Sequence, residues 1–201
     1  MMSKAEIVEQ TDLAFDFLQK LYLEVSYLIK EMEGLLGQEE EKFIIGRPGG
    51  YSISSRSSMG LEPVHVSLWL MRKLAVFFVP EDQTARQGGT TTTEIDDNLK
   101  VLYLRVVLND GRIKEPEVHF GVFFNVKKQA NAKRIEKFEH LMGHFQYNDE
   151  KIFSDSQKIN YEDARIKLKG SFVKCNLFAI KDSQTIAERI IKPALDLYRK
   201  T

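Results

Sequence analysis

The sequence predicts an α+β fold. We expect residues 1–201 to form a single domain, with a mainly antiparallel β-sheet packed by a long N-terminal helix, a middle helix and a C-terminal helix. A helical apolar repeat fills the first 36 residues, strand-like apolar segments follow it, and amphipathic helical segments occupy the middle and the end. Strands in succession, rather than alternating with helices, are typical of α+β domains.

The bulk composition limits the class of protein. A chain of 201 residues can bury one substantial core. The 29 basic and 29 acidic residues give no net charge, which argues against a dedicated surface for nucleic acid or anionic membranes. A single cysteine, Cys175, excludes an internal disulfide. The N-terminus lacks the apolar core of a signal peptide and no segment is apolar enough to span a membrane, so we expect a cytoplasmic protein.

The first helix is predicted by an apolar stripe that recurs every three or four residues. The stripe consists of Ile7, Ala14, Leu18, Leu21, Val25, Leu28, Met32 and Leu35. Gly34 and Gly37 are natural places for the helix to end. Because the stripe spans several heptads, the helix could also pair two copies of the chain as a homodimer.

The stretch FIIGRPGGYSISSRSSMG, residues 43–60, contains a glycine-rich turn. A phosphate-binding P-loop needs a Gly-Lys pair and a following helix, and both signals are missing here. Pro48 and the glycines after it instead predict a β-turn between two short strands, that is, a hairpin. Arg47, Ser54 and Arg56 could still hold an anion from the face of that hairpin.

The sheet is predicted mainly by three apolar segments. Residues 62–80 alternate like a strand, and residues 99–108 and 117–126 form a hairpin around an Asp-Gly turn. The hairpin strands are apolar on both faces, which places them in the middle of the sheet. Residues 81–98 have almost no apolar content, so we expect a mobile surface loop there.

Two further helices are predicted towards the C-terminus. Residues 131–145 form an amphipathic helix, residues 147–163 form a polar connection, and a long strand follows. Asp182 or Ser183 caps the last helix, and Pro193 kinks it or ends its regular part.

Two histidines have a spacing that can hold a metal ion. His140 and His144 lie one helical turn apart in the middle helix. The sequence supplies no third ligand nearby and no HExxH motif, and the helical period places both histidines opposite the apolar face. A solvated helix face is the structural interpretation of the same pair.

A second group of chemically competent residues lies around the central hairpin. Glu117 and His119 alternate along one strand and so share a face. Asp96 and Asp97 precede the other strand of the hairpin and are the nearest additional carboxylates in the sequence. Antiparallel pairing, however, would put these aspartates at the end of the sheet opposite Glu117.

The order of one helix, three strands, a helix and a strand resembles the core of the PD-(D/E)xK nuclease superfamily. That superfamily uses an acid on its second strand and an E-x-K motif on its third to hold magnesium and activate water. The resemblance implies a magnesium-dependent nuclease or other hydrolase over about residues 5–180, with Glu117, His119 and the aspartates as its site. The third-strand motif here is Glu117-Val118-His119, so histidine stands where the superfamily has lysine.

The residues themselves favour a different function. No nucleophile with a base, no complete metal site and no nucleotide motif is recognisable in the sequence. The leading hypothesis is therefore a binding or interaction protein without a catalytic centre or cofactor, with a protein or a small ligand as its partner. The alternatives are the magnesium-dependent hydrolase and a nucleic-acid-binding protein, the latter through basic pairs such as Lys127-Lys128 together with Arg47 and Arg56.

Overall fold

The computed structural model describes residues 3–45, 52–53, 71–81, 84–87, 90–93, 99–109, 111, 113–129, 138–154 and 157–201. The helices are α1 (Lys4–Leu36), α2 (Phe138–Ile152), α3 (Ser183–Ile186) and α4 (Lys192–Lys200); a 3-10 turn (Leu177–Ala179) precedes α3, and a π-helical segment (Ala187–Ile191) joins α3 to α4. The strands are β1 (Phe43–Ile45), β2 (Ser52–Ile53), β3 (Lys73–Pro80), β4 (Thr84–Gln87), β5 (Thr90–Thr93), β6 (Val101–Val107), β7 (Glu117–Lys128), β8 (Lys158–Glu162) and β9 (Ile166–Asn176).

Seven strands form one antiparallel sheet in the order β1-β3-β6-β7-β9-β8, with β2 pairing with β3 beside β1. Helices α1, α3 and α4 pack on one face, here called the α4 face, and α2 packs on the other, the α2 face. The predicted α+β architecture with an antiparallel sheet is therefore confirmed. The strands predicted to be central, β6 and β7, are its two middle strands.

Helix α1 begins and ends at local signals in the sequence. The Ser3 hydroxyl accepts a hydrogen bond from the Glu6 backbone N–H while the Glu6 carboxylate accepts one from the Ser3 N–H, which is a capping box. Gly37 closes the helix, as its position predicts. The apolar stripe is buried only in the second half of the helix, where Val25 is the first fully buried residue.

The predicted hairpin around residues 46–51 is wrong. Strands β1 and β2 run in the same direction, and each pairs antiparallel with β3, through Ile45 opposite Phe78 and Ser52 opposite Ala75. The reason is that β3 is apolar and buried from Leu74 onwards and has an edge open to pairing. It forms a longer ladder with β1 and β2 than these strands, of three and two residues, could form with each other. Residues 46–51 themselves lie outside the described part of the chain.

The hairpin of β6 and β7 is confirmed. Its register places Val107 opposite Glu117 and Val101 opposite Phe123. Gly111 takes a positive φ of 81° in the connection, which a glycine adopts without strain, and its N–H donates to the Asn109 side chain at 2.8 Å. All seven residues of β6 are buried, as expected of a central strand.

Three elements differ from the sequence prediction. Strands β4 and β5 pair as a two-stranded ribbon within residues 81–98, where a loop without secondary structure was predicted. Helix α2 continues to Ile152, and β8 lies where a polar connection was predicted. The apolar residues of β8 are only Ile159 and Tyr161, in a strict alternation that the polar composition of the segment conceals.

The C-terminal helical region follows its predicted signals. Asp182 caps α3 by accepting a hydrogen bond from the Thr185 N–H at 2.7 Å. Pro193 is the second residue of α4, and the π-helical segment ends two residues before it. Because a proline cannot donate to the preceding turn, an irregular segment is the expected arrangement there.

The core on the α2 face is largely aromatic. Phe123, Phe145, Phe153 and Phe172 surround Tyr103 with ring centroids 4.6–6.3 Å apart. A Cβ on Gly170 would lie 2.9 Å from ring atoms of Phe123 and Phe172. Glycine at that position therefore leaves room for the rings to pack on the strand.

Candidate functional site

The candidate site lies where the aromatic core of the α2 face ends. Ala75, Arg105, His119 and Lys174 occupy directly opposite positions on β3, β6, β7 and β9. They form one row across four strands, polar on β6, β7 and β9, beside the row that contains Tyr103. Side chains from the C-terminal half of α2 contact this row on the α2 face of the sheet.

Arg105 and Asp149 form the centre of the site. Arg105 Nε lies 2.7 Å from Asp149 Oδ1 and Nη2 lies 2.7 Å from Oδ2, a bidentate pair. The two residues are only 5% and 7% exposed, and the guanidinium stacks 4.5 Å from the ring centroid of Phe153. This pair joins β6 to α2 and so determines how α2 sits on the sheet.

Lys73 extends the pair towards solvent. Its Nζ lies 3.2 Å from Asp149 Oδ2 and 3.6 Å from Glu150 Oε1. Burial alone would raise the pKa of Asp149, but the hydrogen bonds and the positive charge of Arg105, together with Lys73, outweigh burial and lower it. Asp149 is therefore a buried carboxylate that stays ionised.

His119 is held between opposite charges. Its Nδ1 lies 3.5 Å from Arg105 Nη1 and its Nε2 lies 3.0 Å from Glu117 Oε2. A guanidinium can only donate, so Nδ1 must accept and Nε2 must carry the proton that is donated to Glu117. Burial lowers the pKa of His119; the hydrogen bond to Glu117 opposes this and the charge of Arg105 adds to it. The imidazole is neutral in this arrangement.

Glu117 closes the network at its exposed end. Its Oε1 lies 2.7 Å from Lys174 Nζ. Burial would raise the pKa of Glu117, but the hydrogen bonds from Lys174 and His119 outweigh it and the pKa is lowered. The result is a chain of contacts that runs from Lys73 to Lys174 through four side chains: Asp149, Arg105, His119 and Glu117.

The charged groups of this network neutralise one another. The Nδ1 lone pair of His119, which a general base would use, faces the Arg105 guanidinium. The carboxylate of Glu117 accepts from both His119 and Lys174, which leaves it poorly placed to bind a cation. Among the described residues, no group of three or more His, Cys, Asp or Glu side chains could hold a metal ion.

The structure brings two of the predicted site residues together, and two others lie outside the described residues. Glu117 and His119 share a face and are in contact, as their alternation predicts. Asp96 and Asp97 lie outside the described residues, although β6, which follows them, starts at the end of the sheet away from Glu117. Sequence reasoning missed Arg105, for which a lone charge in the apolar run VLYLRVV was a signal.

It also missed Asp149, for which there was no signal. This residue lies 44 positions from Arg105 in a segment predicted to be a polar connection. Its role depends entirely on where α2 packs.

The histidine pair of α2 is not a solvated face. His140 is exposed, but His144 is buried, with Nε2 2.9 Å from Asp163 Oδ2, so the prediction is wrong for His144. Asp163 also accepts a hydrogen bond from the Tyr161 hydroxyl at 2.8 Å. The helix turns His144 towards β8, which the sequence prediction did not include, and the two histidines therefore have different environments.

The predicted anion site, Arg47, Ser54 and Arg56, lies outside the described residues. No helix in the described part of the chain is long and apolar enough to span a membrane.

A second candidate surface is the exposed half of α1, residues 4–17. Every residue in it is exposed, including large apolar side chains. Phe15 and Phe17 are each 62% exposed, and Ile7 and Val8 are each 52% exposed. Isolated exposed apolar residues are common, but a group of this size within residues 4–17 is unusual, which makes this part of α1 a candidate binding surface.

This surface continues into a groove on the body of the protein. The groove, of about 630 Å³, lies between α1 and the 3-10 turn with α3. Leu21 and Leu28 line it from α1, and Leu177 and Phe178 line it from the turn. Phe178 is itself 62% exposed, so the apolar surface spans both elements.

Comparison with protein-family models, with curated proteins and with solved structures found no match to this chain.

Proposed function

We propose that this chain is a protein-interaction module that binds a second copy of itself through the exposed half of α1. The observation that carries the proposal is the continuity of one apolar stripe along α1, buried on the sheet from Val25 onwards and exposed at Ile7 and Ala14. A helical segment as short as residues 4–17 is only marginally stable in water by itself, because most helical stability comes from packing of the apolar face. A partner that covers the exposed half supplies that packing.

The charge pattern of the exposed half suits a second copy. At 100° per residue, Ile7, Thr11 and Ala14 continue the side of the helix on which Val25 and Met32 are buried. Three acidic residues of this half, Glu9, Asp12 and Asp16, project from the opposite side, and Glu6 lies on a flank about 100° from Ile7. Two copies can therefore bring their uncharged stripes together without placing like charges between them.

The stripe is also complementary to itself in size. In an antiparallel pair, Thr11 of one helix faces Ala14 of the other, and these small residues allow close approach. The same register places Ile7 opposite Leu18, two apolar side chains of the stripe. The interface is isologous, as in most homodimers.

The strength of the dimer follows from its dimensions. Fourteen residues of helix, 4–17, extend about 21 Å. Two helical faces of that length bury less than the roughly 1,200 Å² at the lower limit of standard interfaces. We therefore expect a reversible dimer that dissociates on dilution.

Analytical ultracentrifugation over a wide concentration range tests the proposal. The wild-type chain should shift from monomer to dimer, and Ile7→Glu should remain monomeric because it places a charge in the stripe. Leu23→Glu is the matched control, since Leu23 is similarly exposed but lies on the other side of α1. A monomeric wild-type chain at high concentration, or an unaltered dimer in Ile7→Glu, would overturn the proposal.

A further inference from the structure

We infer that the part of the sheet left uncovered on the α4 face binds single-stranded nucleic acid. This surface, here called the lysine face, consists of Lys127 and Phe124 on β7, Lys167 and Lys169 on β9, and Lys158 on β8. Leu168 and Ile159 point to the buried α2 side of the same strands, so these lysines project to the other side.

A β-bulge assembles the lysine face. Phe124 pairs with Lys169 and Lys127 pairs with Lys167, so β7 has one more residue than β9 over this interval. Asn125, with a φ of 51°, lies in that interval. In a regular strand, positions three apart would lie on opposite faces; the bulge brings Lys127 to the same side as Phe124.

The charges on this face do not balance within it. Lys127 lies directly opposite Lys167, and like charges in directly opposed positions destabilise a sheet. Glu162 is the one acid on the described part of this face; it pairs with Lys167 at 2.7 Å and also accepts from Gln129. Lys158 and Lys169 add two further exposed positive charges to this face, and a polyanion would be attracted to them.

The remaining groups favour single-stranded nucleic acid over other polyanions. Phe124 is partly exposed in the middle of the lysines, where a base could stack on its ring. Asn160, opposite Lys169, is exposed and offers hydrogen bonds to base edges. Phe124 also packs against the core.

Fluorescence anisotropy with labelled oligothymidine and oligouridine tests the inference. Binding should weaken with salt, with a slope of log K against log salt between about −2 and −3 for three or four phosphate contacts. Lys158→Glu with Lys169→Glu should weaken binding on the order of tenfold or more. Neither lysine makes an ion pair with another described residue, so the folded state should survive the change, which circular dichroism checks.

Two further variants separate stacking from charge. Phe124→Leu keeps an apolar side chain in contact with the core and should weaken binding about tenfold through the loss of stacking. Lys114→Glu with Lys151→Glu makes the same change of charge elsewhere, on the β6–β7 connection and on α2, and should leave binding unchanged. Ile7→Glu should also bind normally, which keeps this result independent of dimer formation.

Three outcomes would overturn the inference. They are the absence of oligonucleotide binding at low salt, binding that Lys158→Glu with Lys169→Glu does not weaken, and binding to anionic phosphatidylserine vesicles without binding to the oligonucleotides. If Phe124→Leu binds as well as the wild type, the face is a general polyanion surface and the assignment to single strands is wrong.

Discussion

The two faces of the sheet are covered by helices in different ways. On the α4 face, the buried residues contributed by α1, α3, α4 and the strands are apolar throughout the described part of the chain. All four buried polar side chains among the described residues belong to the α2 face; they are Arg105, His119, His144 and Asp149. Apolar contacts tolerate small shifts, whereas a bidentate ion pair requires one position. We infer that apolar packing on the α4 face supplies most of the free energy of folding. The ion pair on the α2 face instead determines where helix α2 sits on the sheet.

The largest effect is expected when the ion network loses its central acid. Asp149→Ala leaves Arg105 buried without its bidentate partner, and we expect the free energy of unfolding to fall by about 3–5 kcal/mol. Urea denaturation measures the change. The double variant Arg105→Met with Asp149→Leu should recover most of the loss, since it removes both charges together. A loss of less than about 1 kcal/mol in Asp149→Ala would contradict the role given to the network.

A slightly smaller effect is expected from the residue next to Arg105 on the opposite face. Leu104 is fully buried on the α4 face, and Leu104→Ala should lower the free energy of unfolding by about 3 kcal/mol through the cavity that it leaves. Denaturant titration gives the value. The conservative changes sharpen the comparison: Leu104→Met should cost less than about 1.5 kcal/mol. Arg105→Lys should cost more than Leu104→Met, because lysine cannot form the bidentate pair. Equal costs would show that the faces do not differ in tolerance.

The pH dependence of stability should come from the α2 face. The pKa values of His119 and His144 are lowered, with burial as the largest cause. The unfolded chain therefore takes up protons below the ordinary histidine pKa while the folded chain does not, and stability falls as the pH drops below about 6.5. The pKa values of Asp149 and Glu117 are lowered too, so a second loss follows as the pH falls below about 4.

Thermal unfolding across pH 4–8 tests this prediction. Each histidine contributes a slope of at most about 1.4 kcal/mol per pH unit. His119→Gln should remove the contribution of one histidine to the pH dependence of stability between about pH 5 and 7. The contribution of His144 should remain. A variant whose profile in this window matches the wild type would show that His119 is not held neutral by the fold.

The smallest effect is expected at the exposed end of the network. The side chain of Lys174 is 36% exposed, so Lys174→Ala should change the free energy of unfolding by less than about 1 kcal/mol. Added salt should reduce the difference further, because it screens an exposed ion pair. Chemical denaturation at low and high salt provides the check. An effect as large as that of Asp149→Ala would mean that the network acts as one unit from end to end.

Much of the architecture was open to prediction because its signals are local. The stripe of α1, the hairpin of β6 and β7 and the cap at Asp182 depend on residues a few positions apart or on periodicity within one element. The contact between Glu117 and His119 was predictable for the same reason, since alternate residues of a strand share a face.

Other features depend on contacts between residues distant in sequence. Strands β1 and β2 pair with β3 because β3 has an edge open to pairing. The turn signal between β1 and β2 carries no information about that edge. Asp149 becomes an ionised core residue only because α2 packs over Arg105. Local patterns specify which element forms, but burial depends on which other element covers it.

The same distinction applies to the two proposed surfaces. The apolar stripe of α1 is uniform along its length in the sequence, and only the folded structure shows that the sheet covers one half and leaves the other exposed. The zero net charge argued against a nucleic-acid surface, yet the folded sheet gathers lysines from three strands on one face. Composition and periodicity are summed along the chain, whereas a binding surface depends on the positions of side chains in space, and those are decided by strand order, by a bulge and by where the helices end.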